Sequence, residues 1–278
     1  DINYSKAGFS IEENSNEKSI RFALGAIKGV GIKSMHILCE ERNKNGPFKD
    51  IIDFMSRLSG EVINKRQLEK IIQSGCFDEI ENNRAKLFLN VTNFVEIFGG
   101  NKHENLNQSM LFEDTKISFN DSNLFSQNIS EWKSGIRLKN ELEVIGFYFS
   151  DHPISLYPLN YFEQMNIYDW NYINSNKEIK NAQIVGSILD IKERSNKDGK
   201  KYAFLTISTL ESQLELSIFS DKLSEFRYLI KEGNVLLFNI DISRENENLR
   251  IVVRKLEDFD KKFQYQRKKI NVYINDNL

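Results

Sequence analysis

From Ile20 to about Phe98, apolar residues recur at helical spacing, as in Ile37 and Leu38 before Arg42, in Leu68, Ile71 and Ile72, and in Leu87, Leu89, Val91 and Phe94. This pattern predicts a helical domain over 1–98. Between Gly99 and Ser130 the periodicity gives way to Asn, Ser, Asp and Gly, interrupted by the apolar islands Met110-Leu111-Phe112 and Leu124-Phe125. Residues 99–130 therefore read as a flexible linker. Helical spacing resumes from Trp132 to Phe149, and Pro153 and Pro158 bar a helix from running on, which makes 131–180 a helical connector. From Ala182 the period becomes that of strands: Ile184 to Ile191, Tyr202 to Thr209, Leu214 to Phe219, Val235 to Ile242 and Arg250 to Leu256, with a helix over Lys222 to Ile230. Ile270 to Ile274 reads as the first strand of a further, truncated domain over 261–278.

Five strands with one helix after the third is the element order of an OB-fold barrel, here spanning 181–260. The fold class expected is thus multidomain α plus β. On the second of these strands Ala203, Leu205 and Ile207 alternate with Tyr202, Phe204 and Thr206, so the first set fills the barrel and the second faces out. Phe219 shares the outward face with Ser217 and Glu215. Lys192, Arg194, Lys197, Lys200 and Lys201 surround the first turn, against Asp190, Glu193 and Asp198. Such a surface suits single-stranded nucleic acid, whose bases stack on aromatics while cations follow the backbone.

Composition narrows the classes. The 278 residues carry 38 basic and 40 acidic side chains, a formal net charge of -2, so any polyanion site must be a local patch. Cys39 and Cys76 are too few for a disulfide framework, and with His36, His103 and His152 they show no metal-ligand spacing. No apolar run approaches a membrane span, and the polar start has no signal-peptide form; a reduced, cytoplasmic protein is expected. Asp1 in place of a starting methionine suggests a piece of a longer chain.

The helical half holds one segment with chemistry in it. Leu24 to Lys33 places Gly29 and Gly31 one residue apart between two helical patterns. Glycine tolerates positive φ, and a turn of this kind leaves amides free at the start of the second helix, where a phosphate can be held. Lys28 and Lys33 flank it, and Leu24, Ile27, Val30 and Ile37 stand where a helix-hairpin-helix motif has its apolar anchors, with Met35 replacing a small residue. A degenerate second copy runs from Leu68 to Asp78, leading towards Arg84.

The run Ile27-Lys28-Gly29-Val30-Gly31, then Gly46-Pro47-Phe48 with Asp53-Phe54, then Ile72-Gln73-Ser74-Gly75-Cys76-Phe77-Asp78, is similar to the tandem helix-hairpin-helix region of the bacterial DNA polymerase III alpha family. Downstream, Trp132, Glu141, Gly146-Phe147-Tyr148-Phe149-Ser150 and His152-Pro153 resemble the segment leading into that family's OB domain, with Asp151 where a small residue is expected. The resemblance implies a DNA-binding and clamp-binding C-terminal piece of a replicative polymerase. It would hold duplex product through Lys28, Gly29, Gly31 and Lys33. It would hold single-stranded template through Lys192, Arg194, Lys197, Lys200, Lys201, Tyr202, Phe204 and Phe219. Gln108, Met110, Leu111 and Phe112 resemble the short peptide that grips the sliding clamp, Leu and Phe filling an apolar pocket and Gln anchoring them. Other replisome subunits would be reached through a missing C-terminus.

That family's parent enzyme is a DNA-directed DNA polymerase whose metal-binding aspartates, with their Mg2+, sit in a palm domain that would precede Asp1. Nothing in this chain matches them, so no catalytic residue, metal or cofactor is expected here. His152 before Pro153 reads as a packed corner rather than a general base. Three other readings fit parts of the pattern. They are an OB tRNA-binding module of a class II tRNA synthetase, a helix-hairpin-helix DNA glycosylase using Asp50 or Asp53, and a protein-interaction fragment without DNA affinity.

Overall fold

The first twenty residues break the helical pattern. In the computed structural model, Ser10–Asn14 (β1) pairs antiparallel with Glu17–Arg21 (β2), and Ile11 stands opposite Ile20. The helical domain expected over 1–98 therefore opens on a hairpin, and Ile20 belongs to a strand. Its apolar members are few and exposed, so they carry no two-residue period strong enough to see. The structure describes residues 1–14, 17–58, 60, 62–99, 129–245 and 248–267, and the chain divides into two compact units, Asp1–Phe149 and Ser150–Leu278.

After a short 3-10 turn at Leu24–Ala26, the first unit runs through α1 (Ile32–Asn45), α2 (Ile51–Leu58), α3 (Lys65–Gln73), α4 (Arg84–Leu89), α5 (Val91–Gly99) and α6 (Ser134–Ile145). Asn64 starts α3 with a capping box: its side chain accepts from the Gln67 amide, while the Gln67 side chain accepts from the Asn64 amide. Leu68, Ile71 and Ile72 then fall on one face and are buried with Phe54, Phe77 and Phe94. Phe48, Phe54 and Phe77 meet edge to ring in succession, with centroids 5.0 Å apart at each step.

Helix α6 belongs to this unit, so the boundary at Phe149 cuts through the connector expected over 131–180. The reason is an ion cluster. Arg84 grips Asp78 with two bonds of 2.8 and 2.6 Å and donates through its remaining nitrogen to Glu141 at 2.8 Å. Burial works against the guanidinium charge, yet the bonds to both carboxylates outweigh it and hold the Arg84 pKa above its ordinary value. The guanidinium also lies where a side chain at Gly75 would go, and Gly75 itself has φ of 76°. The second hairpin copy is thus filled by Arg84 from inside.

The second unit has a 3-10 turn at Pro153–Leu156, then α7 (Leu159–Gln164) and α8 (Trp170–Ser175). A closed barrel of β3 (Asn181–Ser195), β4 (Lys201–Ser208), β5 (Gln213–Ile218), β6 (Val235–Glu245) and β7 (Asn248–Asp258) follows, in the order β3-β4-β5-β7-β6. Helix α9 (Ser220–Phe226) lies between the third and fourth barrel strands and plugs the core with Leu223 and Phe226. This is the OB topology. Helix α10 (Phe259–Arg267) straddles the boundary expected at 260/261. Phe259 is fully buried, and Phe263 packs on Tyr157 and Tyr161 with centroids 5.2 and 4.8 Å away, so residues to 267 complete the barrel unit rather than open another domain. Ile270 to Ile274 lies outside the described residues.

Because Glu141 is almost wholly enclosed, Glu141→Leu should leave Arg84 as a half-paired buried charge and destabilise the first unit by about 3–5 kcal/mol. Denaturant unfolding of the full chain should show this as a lowered midpoint of one transition. Arg84→Met added to Glu141→Leu should restore most of it; a double variant as unstable as the single one contradicts the assignment.

Candidate nucleic-acid interface

The turn at Lys28 to Lys33 is built as its sequence requires. Gly29 and Gly31 both adopt φ of 83°, which L side chains rarely take, and Gly31 caps α1. Leu24, Ile27 and Val30 are buried anchors, as expected. Ile37 is not: it is 47% exposed, and Met35 and Leu38 fill the core instead. Counting on from Gly31, the buried face of α1 passes through the fourth and seventh residues, which leaves the sixth outside. The Lys28 amide donates to the Val144 carbonyl at 2.8 Å, and the side chain of Gln67 donates to the Val30 carbonyl, which together fix the loop from below. Among the described residues the amides of Ile32 and Lys33 donate to no carbonyl, and Lys28 and Lys33 form no ion pair. An exposed helix start with two unpaired cations beside it is an anion-holding arrangement.

In the barrel the alternation holds. Ala203, Leu205 and Ile207 are fully buried, while Tyr202 and Phe204 are half-buried on the outer side, their rings edge to face at 5.6 Å. Strand register sets Lys192 opposite Phe204 and Phe204 opposite Ser217, and pairs Arg194 with Tyr202. Phe219 stands one residue past the third barrel strand, capping α9, and is 41% exposed. Tyr202, Phe204 and Phe219 line one groove of about 610 Å³ with Lys200, Lys201, Ser217 and Glu215. Arg250 closes it from the third position of β7, opposite Ser243, its guanidinium 5.2 Å from the Phe219 ring centre. As one residue of an alternating strand, Arg250 carries no period of its own that marks it as part of the groove. The available signal was a cation beside the apolar Leu249 at the start of the last strand.

The basic turn is ordered rather than a loose tip. The Asn196 side chain accepts from the amides of Asp198 and Lys200 at 3.0 and 2.8 Å, and Gly199 takes φ of 75°. Lys192 is partly neutralised by Asp190 at 3.3 Å, and Glu193 is taken by Arg227, whereas Lys197, Lys200 and Lys201 form no ion pair among the described residues. Lys197, Lys192 and Arg194 do not line the groove itself.

The remaining candidates divide. Asp50 accepts from the Asp53 amide at 2.7 Å, and Asp53 accepts from the Lys49 amide and from Arg57, so both carboxylates are occupied at the start of α2. His152 caps the turn at Pro153–Leu156, Nδ1 accepting from the Ile154 amide and Nε2 lying 3.1 Å from the Ser208 hydroxyl. Burial pushes its pKa down to about 4, against the opposing charge of Asp151. Gln108, Met110, Leu111 and Phe112 lie outside the described residues. Among the described residues no three His, Cys, Asp or Glu side chains gather as a metal site, and no helix is long and apolar enough to cross a membrane.

A glycine hairpin with a basic rim on one unit and an OB barrel with an aromatic and cationic groove on the other define a modular chain of the kind that carries nucleic-acid-binding folds. Comparison with known proteins agrees. A helix-hairpin-helix motif family matches residues 1–87. DNA polymerase III subunit alpha of Chlamydia trachomatis is 28% identical over 268 residues, 93% of this chain and 21% of that protein. The subunit of Campylobacter jejuni is 31% identical over 237 residues, 84% of this chain and 19% of its own. A mitochondrial single-stranded DNA binding protein of S. cerevisiae, Rim1, superposes on 28% of this chain and 90% of its own, with 16% identity and a TM-score of 0.24, too low to add to the topology above. The chain belongs with the DNA polymerase III alpha subunits, and spans about a fifth of their length.

His152 gives a checkable consequence. Its folded pKa lies below the ordinary 6.5, so its contribution to stability is present above that pH and is lost as pH falls towards about 4. His152→Asn keeps a capping acceptor but cannot titrate. The difference in melting temperature between wild type and variant should shrink steadily from pH 7 to pH 4; a constant difference means that His152 is not held neutral.

Proposed function

We propose that this chain is a non-catalytic DNA-handling segment of a replicative polymerase. It holds duplex product at the Lys28 to Lys33 hairpin and single-stranded template in the barrel groove. The observation that carries the reading is the groove itself. Tyr202, Phe204 and Phe219 offer stacking surface while Lys200, Lys201 and Arg250 supply positive charge beside it, in a chain whose net charge is slightly negative. Stacking is worth roughly 1–3 kcal/mol per base and tolerates any sequence, whereas the cations act on phosphates and are screened by salt. Phe204 sits between the core residues Ala203 and Leu205, so an outward aromatic is displayed without any cost to the core. The sequence match to the alpha subunits supports the replicative setting.

One titration series separates the two forces. In the full chain, Tyr202→Ala should weaken single-strand binding at every salt concentration by roughly 5- to 100-fold, while Arg250→Ala with Lys200→Ala should chiefly flatten the salt slope. Lys28→Glu with Lys33→Glu should weaken duplex binding alike for all sequences and leave single-strand binding intact. Wild-type single-strand affinity in a folded Tyr202→Ala protein removes the groove from consideration.

Clamp capture belongs to the same proposal and rests on the Gln108 to Phe112 peptide. Leu111→Ala with Phe112→Ala should abolish binding to the cognate sliding clamp at unchanged melting temperature, measured by surface plasmon resonance. Undiminished affinity excludes the peptide.

A further inference from the structure

A second groove, of about 590 Å³, lies on the β3–β6–β7 side of the barrel and shares no residue with the first. Its floor is made of carboxamides. Gln183 and Asn239 face each other across β3 and β6, and the Gln183 side chain donates to the Asn239 oxygen at 2.9 Å. Each carboxamide has one donor end and one acceptor end, so a pair bonded to each other still presents one acceptor and one donor side by side, whichever way both are turned. That is the pattern with which amide side chains engage the edge of a nucleobase. The charged residues at this groove, Asp241 and Arg254, neutralise each other in an ion pair.

An aromatic stands at its rim. Tyr168 lines the groove and its ring stacks on Tyr172, centroids 5.3 Å apart and planes 17° from parallel, with both rings about half exposed. The position of Tyr168 is built in. Asn166, the one described non-glycine residue with positive φ (52°), turns the chain at the end of α7, and the Tyr168 amide then donates to the Gln183 carbonyl at 3.3 Å. Left-handed backbone is costly outside glycine and persists where the surroundings impose it. Here it brings a stacking ring to the residue whose side chain offers the polar edge.

We infer that this groove is a second nucleobase site, with the base stacked against Tyr168 and its edge on the Gln183–Asn239 pair. It differs in kind from the first groove, because it reads a neutral, planar, hydrogen-bonding ring and takes almost nothing from phosphate. Its occupancy therefore depends little on salt. A free nucleotide and a base within a strand offer the same chemistry, and the inference goes beyond the template groove proposed above.

The test uses the full chain with an oligonucleotide carrying 5-iododeoxyuridine, cross-linked by light and mapped by mass spectrometry, beside a titration of the side-chain amide signals with deoxyadenosine monophosphate. Cross-links on Tyr168 are expected. Their yield should fall about tenfold in Tyr168→Ala and in Gln183→Ala with Asn239→Ala, return in Tyr168→Phe, and persist in Tyr202→Ala, where the first groove is disabled. Melting temperatures should be unchanged, since Tyr168 is exposed. Shifts of the Gln183 and Asn239 amides with the mononucleotide identify free nucleotide as sufficient, and cross-links without such shifts identify a strand. Neither shifts nor cross-links at Tyr168 overturns the inference, whatever the state of the first groove.

Discussion

The first unit depends on a charge that its interior holds. Arg84 sits at the start of α4, almost wholly enclosed, and answers to Asp78 six residues before it and to Glu141 57 residues after it. Placing a guanidinium there is costly unless its donors find acceptors, and the bidentate grip on Asp78, the bond to Glu141 and a longer one of 3.4 Å to the Gln73 carbonyl occupy most of them. Glu141 in turn accepts from the Phe149 amide at 3.2 Å, so the end of the unit is tied to the same cluster. Other arrangements follow from it. Gly75 must lack a side chain because the guanidinium occupies that space, and α6 joins the helices of 1–98 although it begins far beyond them in sequence, at Ser134. The cluster also explains why the two hairpins differ. The first leaves its lysines outside, while the second has turned its arginine inward and spent it on the fold.

The barrel shows the opposite relation between core and surface. Strand β4 alternates strictly, so the residues that close the core there leave their neighbours free to vary, whereas β3 and β6 are buried on both faces where Val185 and Leu237 meet Tyr157, Tyr161 and Phe259. One face has become aromatic and cationic, and another amide-rich and neutral. The strand period makes such a division possible without altering the interior. Bulges refine it, and the register shift between Asn239 and Ile240 sets Arg254 out of step with its neighbours, beside Asp241.

Much of this was legible in the residues. The five strands, the helix after the third, the inward set Ala203, Leu205 and Ile207, and the positive φ at Gly29 and Gly31 all follow from local period or local backbone sterics. So did the reading of His152 as a corner, since a histidine before proline at a helix stop has a local role available. What was missed lay elsewhere. The hairpin at Ser10 to Arg21 has too few apolar residues to show a period, and Ile37 was placed one step around the helix from its true position. Helix α10 was given to another domain because a short charged segment shows nothing of the Tyr157 and Tyr161 rings that cover Phe259 and Phe263.

The sequence by itself determined the order of elements, the residues that fill the barrel, and the chemistry of the glycine turn, because each depends on neighbours within a few positions. Only the tertiary structure decided that Arg84 is a core residue, that Arg250 joins Tyr202, Phe204 and Phe219, and that Tyr168 meets Gln183 and Asn239. Each of these joins segments far apart in the chain, and a contact made by closure of a fold leaves no periodic trace in the residues that make it.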